Sequence, residues 1–141
     1  MKISENTISI LRNFSDINAN ILFTPGKTLQ TMSTMKNIMA KADVEENFES
    51  EFGIYDLPEF LRALDSFQQP MLNFNGSANL KIKDEKSSLS ARYAFADKST
   101  LRYPTKVISM PDKTVTFTLK DSDWESVKKL YCLLYTSDAA D

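Results

Sequence analysis

The residues of this sequence that could carry out chemistry are carboxylates, because it contains 19 Asp and Glu but no His and only one Cys, Cys132. Without an imidazole, neither a Ser-His-Asp nor a Cys-His nucleophile system can be built, and a zinc site would lack its usual ligands. The densest acidic run, which could suggest metal binding or acid/base catalysis, comprises Asp43, Glu45, Glu46, Glu49 and Glu51. No pair in the chain is spaced to converge on one point. We therefore predict a solvated strand edge here, and no catalytic residue, metal site or cofactor.

The overall composition excludes further classes of protein. The chain has 141 residues, of which 42% are hydrophobic, and its 17 Lys and Arg against 19 Asp and Glu give a net charge of -2. Proteins that hold nucleic acid through bulk charge are strongly basic, so any contact with DNA must be local. A single cysteine cannot close an internal disulfide, and no apolar run approaches the roughly 18 residues of a membrane span. We expect a soluble, intracellular protein with an ordinary core.

Three segments have the spacing of amphipathic helices, and each opens with a start signal. Ser4 can cap the first helix. Asp56 with Glu59 forms a capping-box pattern for the second. Ser122 with Glu125 forms the same pattern for the third. The apolar faces of the three helices comprise Thr7, Ile10, Leu11, Phe14 and Ile17, then Leu57, Phe60, Leu61, Leu64 and Phe67, and finally Trp124, Val127, Leu130 and Tyr131.

Between the helices the apolar residues alternate with polar ones, which is typical of half-buried strands. The alternating runs lie at 21–23, 52–54, 89–95 and 114–119. Pro25-Gly26 suits a type II turn, and Asn75-Gly76 suits a tight hairpin. Because the strand connections are short, we predict an α+β fold with antiparallel sheets.

The spacing of apolar residues also suggests domain limits, because it becomes irregular over 96–113. We predict an N-terminal domain at 1–95, an interdomain connection at 96–113 that contains Pro104 and Pro111, and the start of a truncated second domain at 114–130. Residues 131–141 fit poorly with what precedes them. The stretch 132–141 resembles the translated read-through of a sequencing-library adapter. It predicts a natural protein that continues differently, and a genuine short C-terminus is the alternative.

Several short stretches together resemble one family. They are Met-Lys-Ile-Ser at 1–4, Leu-Arg-Asn-Phe at 11–14, Ile-Asn at 17–18, Ile-Tyr-Asp-Leu at 54–57 and Phe-Leu at 60–61. In order and spacing they resemble the sliding clamps of T-even-like tailed phages, which are DNA polymerase processivity factors. The resemblance extends over 1–95, is weaker over 114–130, and ends after Leu130, where the family continues into further strands.

The resemblance implies a subunit of two similar domains, three copies of which close into a homotrimeric ring around double-stranded DNA. Antiparallel sheets would form the outside of the ring, and helices would line the hole. The implied partners are the replicative DNA polymerase, a clamp loader ATPase and late-transcription factors, in the cytoplasm of the bacterial host on replicating DNA. The clamp itself would be no enzyme. The departure after Leu130 leaves trimerisation of this particular chain open.

The resemblance also assigns a role to basic residues on the polar faces of the predicted helices. Such side chains are normally just solvated. Asp16, four residues after Arg12, is expected to pair with it. On a helix that lines a ring, however, they would face the phosphates of DNA. The predicted DNA-facing residues are Lys2, Arg12, Arg62, Lys128 and Lys129.

Other residues could contact protein partners. Val107, Ile108 and Met110, near the domain junction, could contribute to the apolar groove in which partner peptides of this family dock. Four methionines could suggest an adaptable groove as well, but we predict that they fill the core, and they are Met32, Met35, Met39 and Met71. The alternative function for the whole chain is a non-enzymatic α+β protein-interaction module that does not encircle DNA.

Overall fold

The computed structural model of the chain describes residues 1–74, 78–106, 112 and 114–137, without the side chains of residues 132–137. The chain divides into two compact units, the N-terminal unit Met1–Val107 and the C-terminal unit Ile108–Asp141. In chain order the N-terminal unit contains α1 (Glu5–Ile17), β1 (Ile21–Phe23), β2 (Gly26–Met32), β3 (Met39–Phe48), β4 (Phe52–Ile54), α2 (Leu57–Asp65), β5 (Pro70–Asn73), β6 (Asn79–Asp84) and β7 (Ser90–Ala94). The C-terminal unit contains α3 (Asp121–Ser137).

The first two helices begin where their capping residues predict. The Ser4 hydroxyl accepts a hydrogen bond from the backbone N–H of Thr7 at 3.2 Å, and α1 starts at the next residue, Glu5. The Asp56 carboxylate accepts one from the N–H of Glu59 at 2.8 Å, and α2 starts at Leu57. Each cap satisfies an N–H that the helix itself leaves unpaired.

None of the described helices is long and apolar enough to cross a membrane.

The strands form three antiparallel groups. β1 pairs with β4, β2 pairs with β3, and β5, β6 and β7 form a three-stranded sheet with β6 in the centre. The predicted α+β class with antiparallel sheets is confirmed.

Gly26, in the predicted Pro25-Gly26 turn, has a φ of 116°, which a residue with a side chain rarely adopts. The predicted turn at Asn75-Gly76 lies outside the described residues.

Phenylalanines occupy the part of the core between the small sheets. The ring of Phe52 stacks on that of Phe23 with 4.4 Å between centroids, and Phe48, Phe74 and Phe95 surround it at 5.0–5.9 Å. The buried faces of α1 and α2 pack into the same core, which includes Leu11, Phe14, Leu57, Phe60, Leu61 and Leu64. The strands β1 and β4 are buried at every residue rather than at alternate ones, whereas β7 contacts the same core through its partly buried Ala91 and Tyr93.

The segment that follows β7 remains packed on the N-terminal unit. The N–H of Ala96 donates to the carbonyl of Gly53 at 2.9 Å, and Leu101 is buried. Leu101 lies so close to Gly53 that an added Cβ there would overlap its Cδ1 and lie 3.0 Å from the Ala96 carbonyl oxygen. Contacts of this unit thus extend past residue 95, into the segment assigned to the interdomain connection at 96–113. The domain limits stay a prediction.

In the C-terminal unit, residues 114–119 form no strand, although their alternation predicts one. A strand needs a neighbour to pair with, the described residues of this unit contain no strand, and Val115 and Phe117 remain 77% and 74% exposed. α3 begins at Asp121, so Ser122 lies inside its first turn rather than at its cap. The helix continues past Leu130 to Ser137. The origin of the tail at 131–141 stays a prediction.

Two expectations about side chains in β3 and its hairpin were wrong. Met35 and Met39 do not fill the core, because they lie at the exposed tip of the β2–β3 hairpin, while Met32 and Met71 are half-buried. Glu46 is not part of a solvated edge, because it is buried on the same face of β3 as Val44 and Phe48. The other four carboxylates of the acidic run are exposed, as expected.

Candidate nucleic-acid interface

The helices α1 and α2 lie against each other in the N-terminal unit and are joined at their surface by an ion pair. Arg12 Nη2 donates to Asp65 Oδ1 at 2.6 Å, with the two side chains 54% and 48% exposed. The predicted pairing of Arg12 with Asp16 is replaced by this contact between helices. An ion pair this exposed contributes about 0–1 kcal/mol, so its main effect is on the position of the guanidinium.

The exposed faces of these two helices carry an acidic balance. Arg12 and Arg62 are exposed there, and so are the carboxylates of Glu5, Asp16, Glu59 and Asp65. Arg62 lies in the last turn of α2, opposite the buried face, as its spacing predicted, and no carboxylate among the described residues forms an ion pair with it. Because four anions outnumber two cations, the arginines are the only described groups on these faces that attract DNA phosphates.

The segment before α1 lies along the edge strand β5. The N–H of Leu72 donates to the carbonyl of Met1 at 2.7 Å, and the terminal amino group of Met1 donates to the carbonyl of Leu72 at 2.6 Å. Lys2 forms an isolated bridge with Met71, and its side chain is exposed. Lys2 is therefore positioned by backbone pairing, close to the start of α1.

A buried carboxylate fixes the start of α1. Glu46 Oε1 accepts from the backbone N–H of Ser4, and Oε2 accepts from the Thr7 hydroxyl, both at 2.5 Å. Burial alone would raise the pKa of Glu46, but the hydrogen bonds from Thr7 and Ser4 outweigh it and lower the pKa below 4.5. The positive end of the helix dipole favours the anion as well. The acidic run concealed this role, although the alternation of Val44, Glu46 and Phe48 was a signal for it.

Tyr93 of β7 fixes the start of α2 in a similar way. Its hydroxyl donates to the carbonyl of Asp56 at 3.1 Å, and its ring meets that of Phe60 edge-on at 5.2 Å. Burial raises the pKa of the Tyr93 hydroxyl, and the nearby Glu59 and Asp56 raise it further. The hydroxyl thus stays protonated and remains a donor at neutral pH. The helix that carries Arg62 is therefore held at its first turn by the sheet.

The remaining predicted site residues lie in the C-terminal unit. Lys128 pairs with Glu125 one turn earlier in α3, at 2.5 Å, and Lys129 is exposed. Val107, Ile108 and Met110 lie outside the described residues. Arg12, Arg62 and Lys2 belong to one unit and Lys128 and Lys129 to the other, so the DNA-facing role of the five stays a prediction. Within the described part of the chain, no three carboxylate or thiol groups form a cluster that could hold a metal ion.

Comparison with known proteins decides which family has this arrangement. Residues 3–101, which include both capped helices and all seven strands, match the family described as DNA polymerase processivity factor. The chain belongs to this family. The resemblance to processivity factors that was based on five short stretches is thereby confirmed, and the match extends six residues beyond the predicted domain limit at residue 95.

Individual phage proteins show the same relationship. The sliding clamp of Vibrio phage KVP40 is 33% identical over 143 aligned positions, which cover 98% of this chain and 63% of that protein. The sliding clamps of Escherichia phage RB69 and Enterobacteria phage T4 are 31% and 28% identical, each over 92% of this chain and 57% of the relative. The chain spans about three-fifths of the length of these relatives.

Proposed function

We propose that this chain is part of a sliding clamp, a subunit that encircles duplex DNA and tethers the replicative polymerase during phage DNA replication. The single observation that carries the proposal is the match of residues 3–101 to the processivity factor family. The packed helices α1 and α2, held at their starts by Glu46 and Tyr93, support it because they offer a fixed surface for a ring lining.

A ring of this kind works without tight binding. Escape from DNA requires a protein interface to open, so the lining must tolerate phosphates without gripping them, since strong or base-specific contacts would stop sliding. On the exposed face of α1 and α2 only the two arginines attract phosphates, and the four carboxylates around them keep that attraction weak. The proposed contacts to phosphates are made by Arg12, Arg62 and Lys2, with Lys128 and Lys129 contributing from the second unit.

The proposed assembly is a homotrimer, opened and closed around DNA by a clamp loader that hydrolyses ATP. The clamp itself has no enzymatic step, and it acts on replicating DNA in the bacterial host. Its partners include the polymerase and late-transcription factors, which would reach an apolar groove near Val107, Ile108 and Met110. Each of these functions belongs to the completed protein rather than to the 141 residues alone.

The test is primer extension with a completed protein, made by joining residues 1–130 to the corresponding remainder of the KVP40 sliding clamp. With polymerase, clamp loader, ATP and a primed circular template, product length should increase, and it should not increase when the loader is left out. Equal stimulation without the loader would contradict loading as the route to DNA.

The positions of the cations are tested with charge-reversed forms of the same completed protein. Arg62→Glu should reduce the fraction of clamps loaded on nicked circular DNA, and the reduction should shrink as salt rises between about 50 and 200 mM, because salt screens both the phosphate contact of arginine and the repulsion from glutamate. The matched control is Lys41→Glu, which reverses one charge on the β2–β3 face turned away from α1. If both variants load equally well, Arg62 does not face DNA.

The acidic balance of α1 and α2 favours one alternative, a protein-interaction module that binds no DNA. The mass of the completed protein in solution distinguishes the two functions. A trimer that is retained on circular DNA and lost from linear DNA supports encirclement. A monomer whose retention does not depend on DNA ends supports the alternative.

A further inference from the structure

Three cations of the N-terminal unit lie close together on a sheet rather than on the helices. In the register of the three-stranded sheet, Lys81 of β6 lies directly opposite Arg92 of β7, and Lys83 follows two residues along β6. Residues opposite each other, and residues two apart, lie on the same face of a sheet. Lys81, Lys83 and Arg92 therefore form one surface, the basic sheet face.

The other face of the same sheet shows that the basic sheet face points away from the core. Leu72, Leu80 and Ile82 occupy the alternate positions and are almost completely buried. Lys83 and Arg92 are exposed, and Lys81 is half-buried. Asn73 lies opposite Lys81 on β5, and Met71 lies opposite Lys83. On β5, the neighbour of Lys81 is therefore polar and the neighbour of Lys83 is apolar.

No carboxylate neutralises these three cations among the residues that the structure describes. The ion pairs there are Arg12–Asp65, Lys98–Glu51 and Lys128–Glu125. Asp84 follows Lys83, but its carboxylate is occupied by the N–H groups of Gln69 and Lys86 and by the Ser87 hydroxyl. Two like charges directly opposite each other cost stability. The repulsion between Lys81 and Arg92 is therefore present in a chain whose net charge is negative, -2.

We propose that the basic sheet face binds an extended acidic segment of a partner protein. Side chains at alternate positions of an extended peptide repeat about every 6.8 Å, which is also the spacing of Lys81 and Lys83 along β6. Two carboxylates of such a peptide can therefore meet both lysines while a third reaches Arg92. An apolar residue of the peptide can contact Met71.

The composition of this face favours carboxylates of a peptide over nucleic acid. It presents no aromatic side chain among its described residues, so bases of a single strand would find nothing on which to stack. Three cations also neutralise only about three phosphates, fewer than the roughly 6–10 contacts of a protein that binds duplex DNA through charge. Lys2, which pairs with Met71, lies next to this face, so the proposal is independent of the cations on α1, α2 and α3 but not of Lys2.

The test is a titration of the ¹⁵N-labelled 141-residue chain with the peptide acetyl-Gly-Glu-Thr-Glu-Thr-Glu-Gly-amide at low salt. The amide signals of β5, β6 and β7 should shift, and a peptide with Gln in place of Glu should not shift them. The double variant Lys81→Gln/Arg92→Gln should bind about fivefold more weakly, as expected for the loss of two exposed ion pairs. The matched control, Lys27→Gln/Lys41→Gln, removes the same charge from the β2–β3 hairpin and should bind normally.

Three results would overturn the proposal. Binding could be unchanged in the Lys81→Gln/Arg92→Gln variant, which would place the peptide elsewhere. It could fall equally in the control variant, which would mean that only net charge matters. Finally, an oligonucleotide could bind the basic sheet face more tightly than the peptide does, which would make phosphate the ligand. The unperturbed signals of α1 and α2 in each variant show whether the unit is still folded.

Discussion

The two units of the chain contain the same kinds of sequence signal, yet among the residues that the structure describes only those of the N-terminal unit form a buried core. In that unit Phe23, Phe48 and Phe52 are at most 5% exposed, whereas Phe117 and Trp124 of the C-terminal unit remain largely exposed. The difference is in the number of elements available to pack, since two helices and seven strands bury side chains that the one described helix of the C-terminal unit cannot. A capping signal and a correct period predict an element, but its burial depends on partners that the local sequence does not contain.

Removing one phenylalanine from each unit should give the largest contrast. Phe52→Ala should lower the free energy of unfolding by about 3–5 kcal/mol, because its ring contacts four others and leaves a cavity. Phe117→Ala, the matched change, should alter it by less than about 0.5 kcal/mol because that ring is exposed. Urea unfolding followed by far-UV circular dichroism measures both, and equal effects would contradict the comparison.

The contact of β4 with the segment after β7 should give the next largest effect. Gly53→Ala should destabilise the N-terminal unit by about 1–3 kcal/mol, because the new methyl group overlaps Leu101 and approaches the Ala96 carbonyl. The double variant Gly53→Ala/Leu101→Ala should lose less stability than the sum of the two single variants, since the overlap is removed together with the leucine side chain. If Gly53→Ala is neutral in thermal unfolding, residues 96–101 are not packed on β4 as described.

The Glu46 carboxylate should make the N-terminal unit sensitive to acid. Its pKa is lower in the folded chain than the ordinary 4.5, so its contribution is complete above pH 4.5 and disappears as the pH falls through the folded pKa. Glu46→Gln should cost about 1–3 kcal/mol at pH 7 and flatten the dependence of stability on pH in the acidic range. The exposed Glu45→Gln is the control in the same strand, and a similar flattening there would contradict the role of Glu46.

The smallest contrast concerns the helix starts. Asp56→Ala should cost about 1 kcal/mol because it removes the acceptor for the Glu59 N–H at the start of α2. Ser122→Ala should cost almost nothing, because Ser122 lies within the first turn of α3 and its hydroxyl contacts only the neighbouring Asp123 side chain at 3.4 Å. A comparable loss in hydrogen-exchange protection for both helices would show that Ser122 acts as a cap after all.

Sequence reasoning predicted the parts of the fold that local chemistry determines. The caps at Ser4 and Asp56, the strands at 21–23 and 52–54, and the antiparallel arrangement are all confirmed. It missed the long β2–β3 hairpin, and with it the exposure of Met35 and Met39, because pairing partners distant along the chain are invisible to a local period. It also predicted a strand at 114–119, where the described part of the C-terminal unit offers no strand to pair with.

The candidate site was predictable to a different extent. Helical spacing placed Arg12 and Arg62 on exposed faces, since that follows from a rotation of 100° per residue. The same reasoning could not identify Asp65 as the partner of Arg12, because the pairing depends on how α1 and α2 pack. The burial of Glu46 and the proximity of Lys81 to Arg92 likewise depend on tertiary structure and strand register.

Trp124 is the single tryptophan of the chain, and it lies on the exposed apolar face of α3. Tryptophan emission therefore follows the C-terminal unit alone, whereas the N-terminal unit is silent in this signal. In a protein completed beyond residue 130, a shift of this emission to shorter wavelength would mark the moment at which the indole leaves water. The chain thus carries a built-in optical probe for whether a second core has formed around α3.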